Sequence, residues 1–179
     1  MIRIKTRIGW RNGGATMVLQ IVLEGLVLGA LLVLVCVIGI RKSPVNMVYL
    51  YPPEVRERCV KLGLTTPERI KRDRVIFKAT CIPGYIIYAL VCVYAINGAR
   101  GFLAGFWQIA AILFIMGLID RFFIDEYWVG RTDAWVIPGT EDLKPYIKAR
   151  DKCKKWLLST VWVVFLATVL SGIAALFTR

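Results

Sequence analysis

Three acidic residues lie close together where an apolar stretch gives way to charged sequence. They are Asp120, Asp125 and Glu126, and Arg121 and Arg131 are nearby. Carboxylates at a membrane surface could bind a divalent ion or act as general bases, and the arginines could hold an anionic headgroup. The alternative is a helix-end charge group paired internally with the arginines. We expect the helix-end charge group, because no complete metal motif accompanies the acids. In addition, an α-helical pitch separates Asp120 from Asp125 by about 140°.

Two tryptophans follow the acidic residues at Trp128 and Trp135. They could form an aromatic wall for a lipid or another apolar ligand. The alternative is an interfacial aromatic belt, because tryptophan and tyrosine prefer the depth of the lipid headgroups. We expect the belt.

A single acid, Glu24, lies within the first apolar stretch, with Gln20 one helical turn before it. Intramembrane carboxylates are costly and are associated with function, so a proton or cation pathway could use this pair. Alternatively, Glu24 lies near headgroup depth and pairs with a basic residue of the N-terminal tail. Both interpretations stay open. Lys78 is close enough to the end of an apolar stretch to extend its ammonium to the interface.

Four apolar stretches must position these side chains. Hydrophobic residues make up 58% of the 179 residues, above the 45–50% of ordinary soluble domains. Each stretch can cross a hydrocarbon layer about 30 Å thick at 1.5 Å per residue. The sequence therefore predicts one all-α membrane domain, a bundle of four transmembrane helices over residues 16–40, 75–96, 101–119 and 156–177.

The loop over residues 41–74 predicts two amphipathic juxtamembrane helices. The first begins at Pro53, which suits a first helical turn, and ends before Gly63. Thr65 and Glu68 have the spacing of a capping box, which predicts a second helix that continues into the second span.

The loop over residues 120–155 is the less regular of the two. Its alternating apolar residues at 127–129 and 134–137 could form a small hairpin. Thr140 or Asp142 is predicted to cap the last helix.

Basic residues are distributed unevenly between the predicted sides of the membrane. The chain has 24 Lys and Arg against 12 Asp and Glu, and 18 of these 24 lie in residues 41–78 and 120–155. The positive-inside rule then predicts a plasma-membrane protein with cytoplasmic long loops and both termini outside, although Arg3, Lys5, Arg7 and Arg11 form a basic N-terminal tail. Cationic loops suit anionic lipid headgroups, so a nucleic-acid partner is not expected.

The sequence has no histidine, and its five cysteines form no C-x-x-C pair, so we expect no metal and no cofactor. It also lacks the usual hydrolase, kinase and metalloprotease motifs. Gly25 with Gly29, and Gly101 with Gly105, have the Gly-x-x-x-Gly spacing of close helix packing, within the bundle or between protomers.

The acidic and aromatic residues after the third span lead into Ile137-Pro138-Gly139-Thr140-Glu141. This pattern resembles a group of small, uncharacterised, multi-span bacterial membrane proteins. The resemblance covers 120–142 and implies a structured second loop and a bacterial source, but no activity.

Three hypotheses for function follow. The leading one is a non-enzymatic transporter, channel or accessory subunit that works as a homo-oligomer or within a larger membrane complex. The second is an interfacial enzyme that acts on a lipid or lipid-linked phosphate through Asp120, Asp125 and Glu126. The third is a regulatory protein that docks a partner on the basic loop 41–74.

Overall fold

The computed structural model describes residues 13–177, apart from the side chains of residues 149 and 150. The predicted basic tail from Arg3 to Arg11 lies outside the described residues. Residues 13–177 form the α-helices α1 (Gly13–Ile40), α2 (Pro53–Lys61), α3 (Pro67–Leu90), α4 (Gly101–Leu118) and α5 (Ala149–Phe177).

Two of these helices continue with a wider pitch. A π-helix over Val91–Ile96 extends α3, and a second over Ile119–Val129 extends α4. Two 3₁₀ turns, Pro44–Leu50 and Glu141–Leu143, lie in the long loops.

The four predicted spans are confirmed. Four helices, α1, α5 and the two extended helices α3 and α4, are long and apolar enough to cross a membrane, so the protein is an all-α four-helix membrane bundle. The helices run past the apolar stretches at several ends. The second begins at Pro67, which confirms the predicted juxtamembrane helix that continues into the second span.

Three local predictions about the loops were wrong. Residues 13–177 contain no strand, and the predicted hairpin is instead the end of a π-helix followed by turns. The last helix begins at Ala149, well after Thr140, whose hydroxyl donates to the carbonyl oxygen of Ile137 instead of capping it. Thr66 rather than Thr65 caps α3, because its side chain accepts from the backbone N–H of Arg69.

Helix α4 is the centre of the bundle and packs along both α1 and α5. Glycines of α1 allow the close approach of α1 and α4: a Cβ at Gly25 would lie 2.7 Å from Cβ of Ile115, and one at Gly29 would collide with Ile119. The first predicted glycine pair therefore packs within the bundle. Gly101, with a φ of 74°, instead begins α4 after the tight link.

The two long loops fold together at one end of the bundle. We call residues 44–62 and 130–148 the cap. Its apolar centre is formed mainly by Tyr51, Val55, Cys59, Ile137 and Tyr146, which are all buried. The buried Val55 and Cys59 confirm that α2 is amphipathic. Arg58 joins the two halves of the cap through a 3.1 Å ion pair with Asp142.

Candidate functional site at the membrane interface

The π-helix that extends α4 brings Asp120 and Asp125 to the same site. Backbone hydrogen bonds in a π-helix run from residue i to i+5, so residues five apart lie about one turn apart. The predicted separation of 140° assumed an α-helical pitch and was wrong. Both aspartates line a cavity of about 650 Å³ beneath the cap, which we call the interfacial cavity.

Asp125 and Glu126 pair with lysines of α5, not with the arginines that the sequence suggested. Asp125 lies 3.0 Å from the ammonium of Lys155, and its side chain is only 14% exposed. Glu126 pairs with Lys152 outside the cavity and is 43% exposed. The three carboxylates therefore do not converge. Asp120 and Asp125 share the cavity, and no described cation forms an ion pair with Asp120.

The two arginines are also separated. Arg121 lines the interfacial cavity, and its guanidinium carbon lies 5.5 Å from the ring centroid of Trp156. Its Nη1 atom is buried and has no hydrogen-bond partner among the described residues. Arg131 is exposed and does not line the cavity. Of the two arginines, only Arg121 could therefore bind a ligand in the interfacial cavity.

Trp135 forms part of the cavity wall and is 3% exposed, so it is not a residue of an exposed aromatic belt. The hydroxyl of Tyr51 donates to its carbonyl oxygen at 2.5 Å, and Trp128 packs edge-on against its ring at 5.4 Å. The indole Nε1–H of Trp135 is buried without a partner in the described part of the chain. Trp128 supports this ring without lining the cavity.

The interfacial cavity is lined by both charged and apolar side chains. The charged ones come from the extended α4 and from the start of α5: Asp120, Arg121, Asp125, Asp151 and Lys155. Apolar side chains of the spans line it on one side: Leu32, Leu113, Phe114, Met116, Trp162 and Val163. The cap adds apolar side chains on the other side, among them Leu50, Tyr51, Pro52 and Trp135.

The intramembrane residues Gln20 and Glu24 meet two further amides at the opposite end of the bundle. Asn97 donates to Glu24 at 3.0 Å and to Gln108 at 3.0 Å, and Gln20 donates to Glu24 at 3.2 Å. We call these four residues the Glu24 cluster. Lys78 is exposed on α3 and takes no part in it.

Sequence reasoning missed Asn97 and Gln108. Asn97 follows the second apolar stretch directly, and Gln108 lies within the third. An isolated amide in such a position is a signal that could have identified both residues. Their partners lie on another span, so no spacing along the chain connects them to Glu24.

The fold and the two polar sites define a multi-pass, all-α membrane protein. Among residues 13–177, no group of three histidine, cysteine, aspartate or glutamate side chains could hold a metal ion. No family model, curated protein or solved structure matches this chain. The resemblance of 120–142 to small bacterial membrane proteins therefore stays a prediction.

Proposed function

We propose that this protein is a non-enzymatic membrane protein that binds one phospholipid-like amphiphile in the interfacial cavity. The observation that carries the proposal is a cavity in which an apolar wall between the spans adjoins charged side chains of the extended α4 and of α5. A volume of about 650 Å³ is ordinary for a small-molecule site and suits a headgroup with part of one acyl chain.

The donors favour a phosphate in the headgroup. The buried Nη1 of Arg121 and the indole Nε1–H of Trp135 both lack acceptors among the described residues. Unpaired buried donors cost about 1–3 kcal/mol each, and a phosphate oxygen is a strong acceptor for a guanidinium. A phosphate in the cavity would meet this donor of Arg121 once Nη1, which has almost no accessible surface in this structure, turns toward it.

The acids favour a headgroup that also carries an amine. Lys155 is already paired with Asp125, so its charge is largely compensated within the protein. Asp120 forms no ion pair among the described residues, and it lines the cavity together with its chain neighbour Arg121. A zwitterionic headgroup would place its phosphate near Arg121 and its ammonium near Asp120.

A carrier or an accessory subunit for such a lipid is the function that we infer. Four spans are few for a self-sufficient transporter, so we further propose a homo-oligomer or a larger membrane complex. The glycine face of α1 is filled by Ile115 and Ile119 of the same chain, so an oligomer would use the outer faces of the bundle.

Titration of the detergent-purified protein with short-chain phospholipids tests this proposal. Tryptophan emission is a suitable signal, because Trp135, Trp156 and Trp162 line the cavity. We expect dihexanoyl phosphatidylethanolamine to bind more tightly than the phosphatidylglycerol analogue. Arg121→Met should weaken binding about 10- to 100-fold, which is the usual effect of losing a charge-assisted hydrogen bond.

Arg131→Met is the matched control, because it removes the same charge from an exposed position outside the cavity. It should leave the affinity unchanged. Equal losses in both variants would contradict the proposal, as would tighter binding of phosphatidylglycerol. A chemically altered lipid, detected by mass spectrometry after incubation, would favour the enzymatic alternative through Asp120 and Asp125.

A further inference from the structure

The Glu24 cluster places a carboxylate inside the bundle without a positive partner. Glu24 is 9% exposed and Gln108 is fully buried. No lysine or arginine of residues 13–177 forms an ion pair with Glu24, whose carboxylate oxygens are contacted by amide groups of Gln20 and Asn97. An isolated buried carboxylate is costly in a membrane, and the amides supply hydrogen bonds but no charge.

The cluster is also built by several elements rather than by one helix. Gln20 and Glu24 come from α1, Asn97 from the link after α3, and Gln108 from α4. The hydroxyl of Tyr88 donates to the backbone carbonyl oxygen of Glu24 at 3.0 Å, which fixes α1 against α3 at this level. Such convergence gives a defined site rather than a solvated surface.

Three buried polar atoms, in Gln108 and in the part of the bundle near it, are without partners in the described part of the chain. They are Nε2 of the fully buried Gln108, Oγ of the fully buried Ser171, and the hydroxyl of Tyr94. The two hydroxyls approach Gly105, one helical turn before Gln108. Buried groups of this kind usually have a partner, which indicates that a further polar species belongs here.

The side chains of the cluster indicate which kind of ligand this polar species is. Rotating an amide by 180° exchanges its oxygen and nitrogen with almost no change in shape, so each amide can present an oxygen. Carboxylate, amide and hydroxyl oxygens are the ligands of hard cations. One carboxylate supplies one negative charge, which is balanced by a monovalent ion. We propose that the Glu24 cluster is a binding site for Na⁺.

The experiment compares the thermal unfolding of the purified full-length protein in NaCl and in choline chloride, at equal ionic strength and fixed pH. A ligand that binds only the folded state raises the unfolding midpoint, by about 5 °C or more when Na⁺ exceeds its dissociation constant 100-fold. We expect this rise in the wild type. Glu24→Gln, which keeps the shape and removes the charge, should abolish it.

Glu57→Gln is the control, because it makes the same change at an exposed position in the cap, and it should keep the full Na⁺ effect. If Glu24→Gln does not fold, Gln108→Met replaces it and should require at least tenfold more Na⁺ for the same rise. Equal wild-type midpoints in NaCl and choline chloride would overturn the proposal. So would a Na⁺ effect that survives in Glu24→Gln. If the unfolding midpoint in choline chloride changes with pH but does not respond to Na⁺, the Glu24 cluster binds a proton and not Na⁺.

Discussion

At the scale of single residues, the cap depends on contacts between its two loops. The contact between Tyr51 and Trp135 joins residues 84 positions apart, and no periodicity connects them. Contacts of this kind depend on how the two loops fold against each other, which local patterns do not encode.

The hydrogen bond from Tyr51 to the carbonyl oxygen of Trp135 should stabilise the cap and hold the cavity wall. Burial raises the pKa of Tyr51 well above its usual value, so the phenol remains a donor at neutral pH. Tyr51→Phe leaves a buried carbonyl unpaired, and we expect a loss of about 1–3 kcal/mol in the free energy of unfolding. Thermal unfolding checks this, with a midpoint about 2–4 °C lower for each kcal/mol.

Tyr127→Phe is the matched control for this substitution, because the Tyr127 side chain is 54% exposed. It should change the midpoint by less than about 1 °C, since surface substitutions usually have small effects. An equal decrease in both variants would mean that the Tyr51 hydrogen bond has no special role in the cap.

At the scale of elements, the spans could be predicted because a bilayer requires about 20 apolar residues in each. The pitch of the helices could not be predicted from the sequence. The residues of Ile119–Val129 are compatible with either an α- or a π-helix, so no local pattern predicts the wider pitch. This change of pitch decides whether Asp120 and Asp125 share a site.

The contact between α1 and α4 should depend on the absence of a side chain at Gly25. A Cβ there would lie 2.7 Å from the branched Cβ of Ile115, which is close to the backbone and has little freedom to move. Overpacking of this kind costs about 1–3 kcal/mol, so Gly25→Ala should lower the free energy of unfolding by that amount. Unfolding in mixed micelles by increasing fractions of SDS measures the change.

Gly172→Ala is a suitable control, since nothing lies within 4 Å of the added Cβ and alanine favours a helix more than glycine does. This variant should be as stable as the wild type or more so. Gly25→Ala with wild-type stability would show that α1 and α4 can separate without cost, and would contradict the packing described for the bundle.

At the scale of the whole molecule, two polar sites occupy opposite ends of one bundle. The interfacial cavity lies beneath the cap, and the Glu24 cluster lies near the link between α3 and α4. Helix α4 contributes residues to both, namely Gln108 to the cluster and Asp120 to the cavity. An amphiphile and a cation bound at these sites would therefore contact the same central helix.

The orientation that the charge distribution predicts can be tested with a native cysteine. Cys153 is exposed near the start of α5, whereas Cys36, Cys59 and Cys92 are buried. The positive-inside rule predicts that the cap and Cys153 lie in the cytoplasm. A membrane-impermeant maleimide should therefore label Cys153 only after the cells are permeabilised, and Cys153→Ala should remove that labelling.

A reporter on the other side of the membrane completes the test. Arg100 is exposed in the short link between α3 and α4, at the end of the bundle opposite the cap. With Cys153 replaced by alanine, Arg100→Cys should react with the same reagent in intact cells. Labelling of Cys153 from outside, together with protection of the cysteine at position 100, would invert the orientation. The Glu24 cluster would then lie toward the cytoplasm, where Na⁺ is scarce, and the interfacial cavity would receive its lipid from the outer leaflet.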